Sequence, residues 1–154
     1  MLKSNKKLGE ILTEKGLVTP ESLKEALADQ AHTGEYLGDI LVKKGMIAEK
    51  DLLFAVSEQF GIPFVELRNQ YIDWQAAKSF SASLVLEYKY LPFKRDNLKV
   101  TIAITDPFNV WALKKAEEEA RGLQLELVLV SSSDMDEATQ RYKKYMGTNT
   151  LKQI

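Results

Sequence analysis

Cysteine is absent from this sequence, and histidine occurs once, at position 32. Without thiols there are no disulfides, no thiolate zinc sites and no cysteine nucleophile, which fits a reducing cytoplasm. His32 has no cluster of partner ligands beside it in the sequence and reads as a surface residue rather than a metal ligand. No segment approaches the roughly 18 consecutive apolar residues of a membrane span. The opening MLKSNKKLGE carries lysines with no apolar stretch behind them, so neither a secretory leader nor a membrane anchor is expected. The G-x-x-x-x-G-K-[ST] loop of nucleotide hydrolases is missing, as is a recognisable set of nucleophile, base and orienting group, and an enzyme is not expected. An excess of one charge is lacking too. The 21 Lys and Arg stand against 22 Asp and Glu, a net charge of −1 that gives no global basic field for DNA, RNA or an anionic membrane. Any anionic ligand has to be met by local groups.

What is present is an ordinary globular composition, 45% hydrophobic and 28% charged over 154 residues, enough for one generous domain or two small ones. It contains an internal repeat. LGEILTEKGLVTPESLKEALADQ, residues 8–30, aligns without a gap onto LGDILVKKGMIAEKDLLFAVSEQ, residues 37–59, at an offset of 29 and with nine of 23 positions identical. Each copy predicts a short helix, a turn and a longer helix. Leu8, Ile11 and Leu12 form one apolar stripe, and Gly16 stands where a left-handed residue ends a helix. Lys15 falls in that last turn, facing the negative end of the helix dipole. Thr19, Pro20 and Glu21 are a strong restart, with Thr as N-cap. Ala48 is a poor cap in the second copy, although Glu49 and Asp51 suit a helix start.

Most of these positions are explained by packing alone, as a duplicated helical hairpin with a four-helix core. Gly9 and Gly38 are less easily explained. Each costs about 1 kcal/mol against alanine inside a helix, yet each copy keeps one at the beginning of its first helix, as though something must approach the backbone there. Gln30 and Gln59 close the two copies; a side-chain amide both donates to and accepts from a base or ribose, and a solvated helix end is the alternative.

After Gln59 the reading changes from helical repeats to mixed α/β. Ile62, Pro63, Phe64 and Val65 begin a short extended segment, and residues 74–89 have helical character with a serine-rich middle. Residues 90–94 and 98–105 predict a hairpin across Arg95, Asp96 and Asn97. A helix over residues 110–121 with Gly122 as its stop follows, then the strand LQLELVLV. A last helix opens at Ser132 or Ser133, ahead of Asp134 and Glu137, and runs to about Met146. The fold class expected is α+β: a four-helix tandem-repeat subdomain over residues 1–62, a small α/β subdomain over 63–146, and a tail or linker over 147–154.

The two copies resemble a known tandem motif, R/K-L-G-x-x-L-x-x-x-G-x-x-x-x-x-x-L-x-x-x-L-x-x-Q, here Lys7 to Gln30 and Tyr36 to Gln59 with Ala31 to Glu35 between them. That motif marks the N-terminal domain of type II secretion and type IV pilus assembly ATPases, and in part of that family the domain binds cyclic di-GMP. The later order of elements, with a strand running into Asp106-Pro107, is similar to the second subdomain of the same family. The resemblance implies that each copy grips half of the dinucleotide, with no further cofactor. The residues it points to are Lys7, Leu8, Gly9, Leu12, Leu23, Leu27 and Gln30, then Tyr36, Leu37, Gly38, Leu41, Leu52, Val56 and Gln59. Asp106 is implied as an acceptor for guanine N–H groups, a helix N-terminal acid being the alternative. Two positions depart from the pattern. Lys7 replaces the commoner Arg with a point charge, and Tyr36 replaces a cation with a ring able to stack on guanine. Lys3, Lys6, Lys43 and Lys44 are candidates for a local field on phosphates.

The resemblance implies a regulatory, nucleotide-binding domain that reports to a secretion or pilus ATPase core in cis or in trans. It would lie in the cytoplasm, peripheral at the inner membrane through partners. The alternative is a protein-interaction domain that docks the ATPase on an inner-membrane platform protein without nucleotide, which requires an exposed apolar or charged patch.

Overall fold

Both copies of the repeat fold by the same local chemistry. In the computed structural model, which describes residues 7–153 and the side chains of residues 7–147, the first copy forms α1 (Leu8–Glu14) and α2 (Pro20–Thr33). The second forms α3 (Leu37–Lys43) and α4 (Glu49–Phe60). Leu8, Ile11 and Leu12 bury one stripe of α1, as Ile40 and Leu41 do for α3. Gly16 and Gly45 take left-handed φ values of 69° and 72°, which glycine reaches without a Cβ clash. Their N–H groups turn back to the carbonyls of Thr13 and Val42. Thr19 Oγ1 accepts from Ser22 N at 3.1 Å to cap α2, with Pro20 in its first turn. Ala48 offers α4 no side-chain cap, and Glu49 and Asp51 supply acidic charge to its first turn instead. The copies pack crosswise: α1 lies on α2 and α4, and α3 lies on α2 and α4.

These helices belong to one compact unit, Met1–Pro63, and the remainder to a second, Phe64–Ile154. In the second unit Phe64 forms a parallel bridge to Leu129, and Leu67–Asn69 makes a 3-10 turn. The serine-rich stretch after it holds two short helices, α5 (Trp74–Lys78) and α6 (Ala82–Leu86). They separate because Asp73 and Ser81 each cap a helix start, accepting from Gln75 N and Leu84 N. The expected hairpin is β1 (Leu91–Arg95) and β2 (Lys99–Ile104), antiparallel, with a register irregularity between Pro92 and Lys94. Asp96 Oδ1 accepts from Leu98 N at 2.7 Å and Lys99 N at 2.9 Å, and these bonds hold its carboxyl below the ordinary carboxylate range. Then come α7 (Val110–Ala120) and β3 (Gln124–Leu129), which lies parallel to β2 in a sheet ordered β1-β2-β3. Glu119 of α7 accepts from Ser81 N and Oγ, tying α7 to the start of α6. The central strand is buried on both faces. Ala103 joins a core with Met135, Ala138 and Tyr142, while alternation turns Ile102 and Ile104 the other way.

Three details differ from the sequence reading. The left-handed stop of α7 begins at Arg121, φ 51°, with Gly122 after it rather than alone. The last helix, α8 (Ser132–Gln153), is capped by Ser131, whose Oγ accepts from Asp134 N at 3.1 Å; Ser131 lies three residues before the acid, the spacing of a capping box. It also runs past Met146, since Gly147 takes no left-handed φ and no proline follows.

Tyr90 is buried in this unit, and burial, with the charges of Asp106 and Glu117 behind it, pushes its phenol up to about 12. A folded-state value above the unfolded one, near 10, means that the stabilisation is complete below about pH 10 and is lost as pH rises toward about 12, on the order of 3 kcal/mol. Tyr90→Phe is expected to flatten this alkaline loss. Absorbance of tyrosinate measured alongside circular dichroism checks it, and Tyr90 ionising near pH 10 in folded protein would contradict it.

Candidate functional site

The motif residues of the two copies divide by depth. Leu12 and Leu41 have no exposed surface, and Leu8, Leu52 and Val56 are buried. Leu12 and Leu41, expected in the apolar bed, lie wholly inside the helical packing. Leu23 and Leu37 are half-buried, and Leu27 and Tyr36 are 46% and 47% exposed. Lys7 is exposed at the N-cap of α1, and Tyr36 occupies the equivalent cap of α3. Surface chemistry thus comes from Lys7, Leu23, Leu27, Tyr36 and Leu37, on a floor set by the helix stripes.

Gly9 and Gly38 have a packing explanation. A Cβ at Gly9 would lie 3.2 Å from Leu23 Cδ1, and one at Gly38 would lie 2.9 Å from both Leu52 methyl carbons. Each glycine lets the longer helix of its own copy set a leucine against the shorter one. The signal read as a ligand's approach to the backbone is met first by the protein's own side chain.

The glutamines differ. Gln30 Nε2 donates to the Glu35 carbonyl at 3.2 Å, whereas Gln59 Oε1 is buried and accepts no hydrogen bond. An orphaned buried acceptor is unusual in a folded protein.

Lysines 43 and 44 are engaged by acids rather than held ready for phosphate. Lys43 Nζ lies 3.0 Å from Glu35 Oε2. Lys44 Nζ lies 2.6 Å from Asp29 and 3.1 Å from Glu25, and these bonds, Asp29 first, raise its pKa. Lys3 and Lys6 lie outside the described residues. Lys15 meets Glu58 at 3.6 Å. The pairs Lys15 with Glu58 and Lys44 with Asp29 are equivalent under the offset of 29, each joining one copy to the other. Exposed pairs of this kind contribute little stability, about 0–1 kcal/mol, but their reciprocity marks an approximate two-fold relation between the copies. The self-alignment already places Asp29 on Glu58; only the fold shows what they hold.

Asp106 lies in the other unit, where its Oδ1 accepts from Phe108 N at 2.8 Å and closes the turn after β2. Asn109, not Asp106, caps α7, accepting from Ala112 N at 3.0 Å. His32 is exposed in the last turn of α2. Among the described residues no group of His, Cys, Asp and Glu is placed to hold a metal ion, and no helix is long and apolar enough to cross a membrane.

The chain matches the MshEN domain model over residues 60–149, more than half its length. It is 28% identical over 141 residues to the type IV pilus assembly ATPase PilB of Myxococcus xanthus, covering 92% of this chain and 25% of that protein. With PilB of Thermus thermophilus it shares 40% identity over 102 residues, 66% of this chain and 11% of that protein. The chain thus spans a quarter or less of these relatives. Among solved structures it is similar to MshE with cdg, at a TM-score of 0.84 and 27% identity, over 90% of this chain and 99% of that one. The N-terminal domain of XpsE shares the fold, at a TM-score of 0.66 and 20% identity, over 92% of this chain and 96% of that one. The chain belongs to the MshEN domain family, the N-terminal domain of type II secretion and type IV pilus assembly ATPases.

Proposed function

We propose that this chain is the regulatory N-terminal domain of such an ATPase and binds cyclic di-GMP through its two tandem motifs, one to each half of the dinucleotide. The observation that carries the reading is the approximate two-fold relation of the two copies, which matches a ligand that is itself two-fold symmetric. The likeness to MshE solved with cdg supports it. Half-exposed Leu27 and Tyr36 offer apolar and aromatic surface to guanine, Lys7 offers charge to phosphate, and Gln59 offers an acceptor. The ATPase core, in cis or in trans, would receive the signal, in the cytoplasm beside the inner membrane.

The test is a thermal melt with and without ligand. Cyclic di-GMP at about a hundredfold its dissociation constant is expected to add roughly 2.7 kcal/mol, raising the midpoint of the helical unit by on the order of 10–20 °C. GTP at the same concentration is expected to leave it in place. Unchanged melts at millimolar cyclic di-GMP would remove the reading.

A second reading, docking on an inner-membrane platform protein without nucleotide, is favoured by a separate observation. Phe108, Val110 and Trp111, the last two 67% and 70% exposed, gather large apolar side chains at the start of α7. The two readings concern different units and are separable: charged substitutions at Val110 and Trp111 would abolish docking and leave the ligand melt unchanged.

A further inference from the structure

We propose that the outer edge of β3 is a docking site for an extended segment of a partner protein, one that alternates apolar residues with lysine or arginine. The proposal stands apart from the nucleotide reading and from the cluster on α7. β3 is an edge strand, paired in the sheet with β2 on one side only. Within a strand the N–H and C=O of one residue point the same way, and those of the next residue point the other way. Gln124 N donates to Leu98 O and Val130 N to Ile104 O, so the even-numbered residues face β2. Leu125, Leu127 and Leu129 therefore face outward. Leu129 is occupied, its carbonyl accepting from Val65 N at 2.9 Å in the parallel bridge with Phe64. The next bond of that ladder would run from residue 63 to the Leu127 carbonyl, and residue 63 is proline, which has no N–H to give. Among the described residues nothing pairs with the outward main-chain groups of Leu125 and Leu127.

The opposite edge is closed by devices that protect a sheet from pairing. β1 carries Pro92, a register irregularity between Pro92 and Lys94, and a bond from Asp73 N to Phe93 O at 2.8 Å. Residues 124–128 of β3 carry neither proline nor bulge. A row of N–H and C=O groups at strand spacing is matched by another extended backbone, which fixes the class of occupant. The two faces of β3 fix its side chains. On one face Leu125 and Leu127 are half-buried, and apolar residues beside them complete their burial. On the other, Glu126 is half-exposed with Lys99 of β2 at 3.0 Å on its inner side, and a cation directly across from it on an added strand is favoured. A second copy of this chain is the poorer occupant. Two β3 strands in the antiparallel register that pairs Leu125 with Leu127 would set Glu126 against Glu126, like charges directly opposed.

Titration of the native chain with a heptapeptide of alternating valine and lysine, followed by amide hydrogen exchange and chemical shifts in NMR, tests this. The amides of Leu125 and Leu127 are expected to exchange quickly in the free chain and to slow by about tenfold or more at saturation. A heptapeptide of alternating valine and glutamate is expected to bind about fivefold or more weakly, and Glu126→Lys to reverse that order. The valine and lysine peptide N-methylated throughout, which offers no N–H groups, is expected not to bind. Unchanged Leu125 and Leu127 amides at millimolar peptide would overturn the proposal, as would equal protection by the methylated peptide. Protection already present in the free chain would overturn it too. If that protection grew with protein concentration the edge would belong to a second copy, and if it did not, to the chain itself. Docking indifferent to the charge of the peptide would overturn the cationic partner.

Discussion

Leu41→Ala is expected to destabilise the helical unit by about 2–5 kcal/mol, a large share of what holds a small domain together. Leu41 has no exposed surface and lies on the buried stripe of α3 with Ile40, on a helix packed against α2 and α4. Removing its branched carbons leaves a cavity where helices of both copies meet. Leu12 is its equivalent in the first copy and should behave alike. Leu27→Ala, at a half-exposed position, is expected to stay within about 0.5 kcal/mol of the native chain. Urea unfolding followed by circular dichroism makes the comparison. Similar small effects at Leu41 and Leu27 would contradict the division of the motif into floor and surface.

Leu27→Glu carries the second large effect, on binding. Leu27 is a motif position with solvent on one side, so a carboxylate there is hydrated in the free chain and leaves the fold intact. Bound cyclic di-GMP brings two phosphate charges, and burying the carboxylate beside them adds repulsion and desolvation together. A loss of about thirtyfold or more in affinity is expected, roughly 2 kcal/mol, with the melting midpoint of the free protein unchanged. Gly9→Ala and Gly38→Ala are poorer probes, since the added Cβ presses on Leu23 and Leu52 and alters the surface before any ligand arrives.

Much of this fold is legible in the sequence because local chemistry and packing agree. The stripe of Leu8, Ile11 and Leu12, the left-handed Gly16 and the Thr19-Pro20 restart act within a few residues of themselves, and the second copy repeats them. The hairpin around Asp96 is legible for the same reason. What escapes the sequence is set by partners distant along the chain. The crosswise packing of the copies is one case, and the arrest of Lys43 and Lys44 by acids is another. A third is the side chain that occupies the space over each early glycine. The buried Asp134 accepts from Arg68 Nε at 2.7 Å and Arg68 N at 3.2 Å, a bond across 66 residues that no spacing announces. The α/β half, where most of the MshEN match lies, carries looser motifs, because sheet register and small buried alanines leave little local pattern in the sequence.

The most direct test of the account is the stoichiometry of cyclic di-GMP binding by calorimetry. Two motifs that share one two-fold ligand predict one cyclic di-GMP per chain, at about −8 kcal/mol, a dissociation constant near micromolar. Two independent ligands per chain would contradict a shared site, and no heat from folded protein would leave the exposed cluster of Phe108, Val110 and Trp111, with docking as its function.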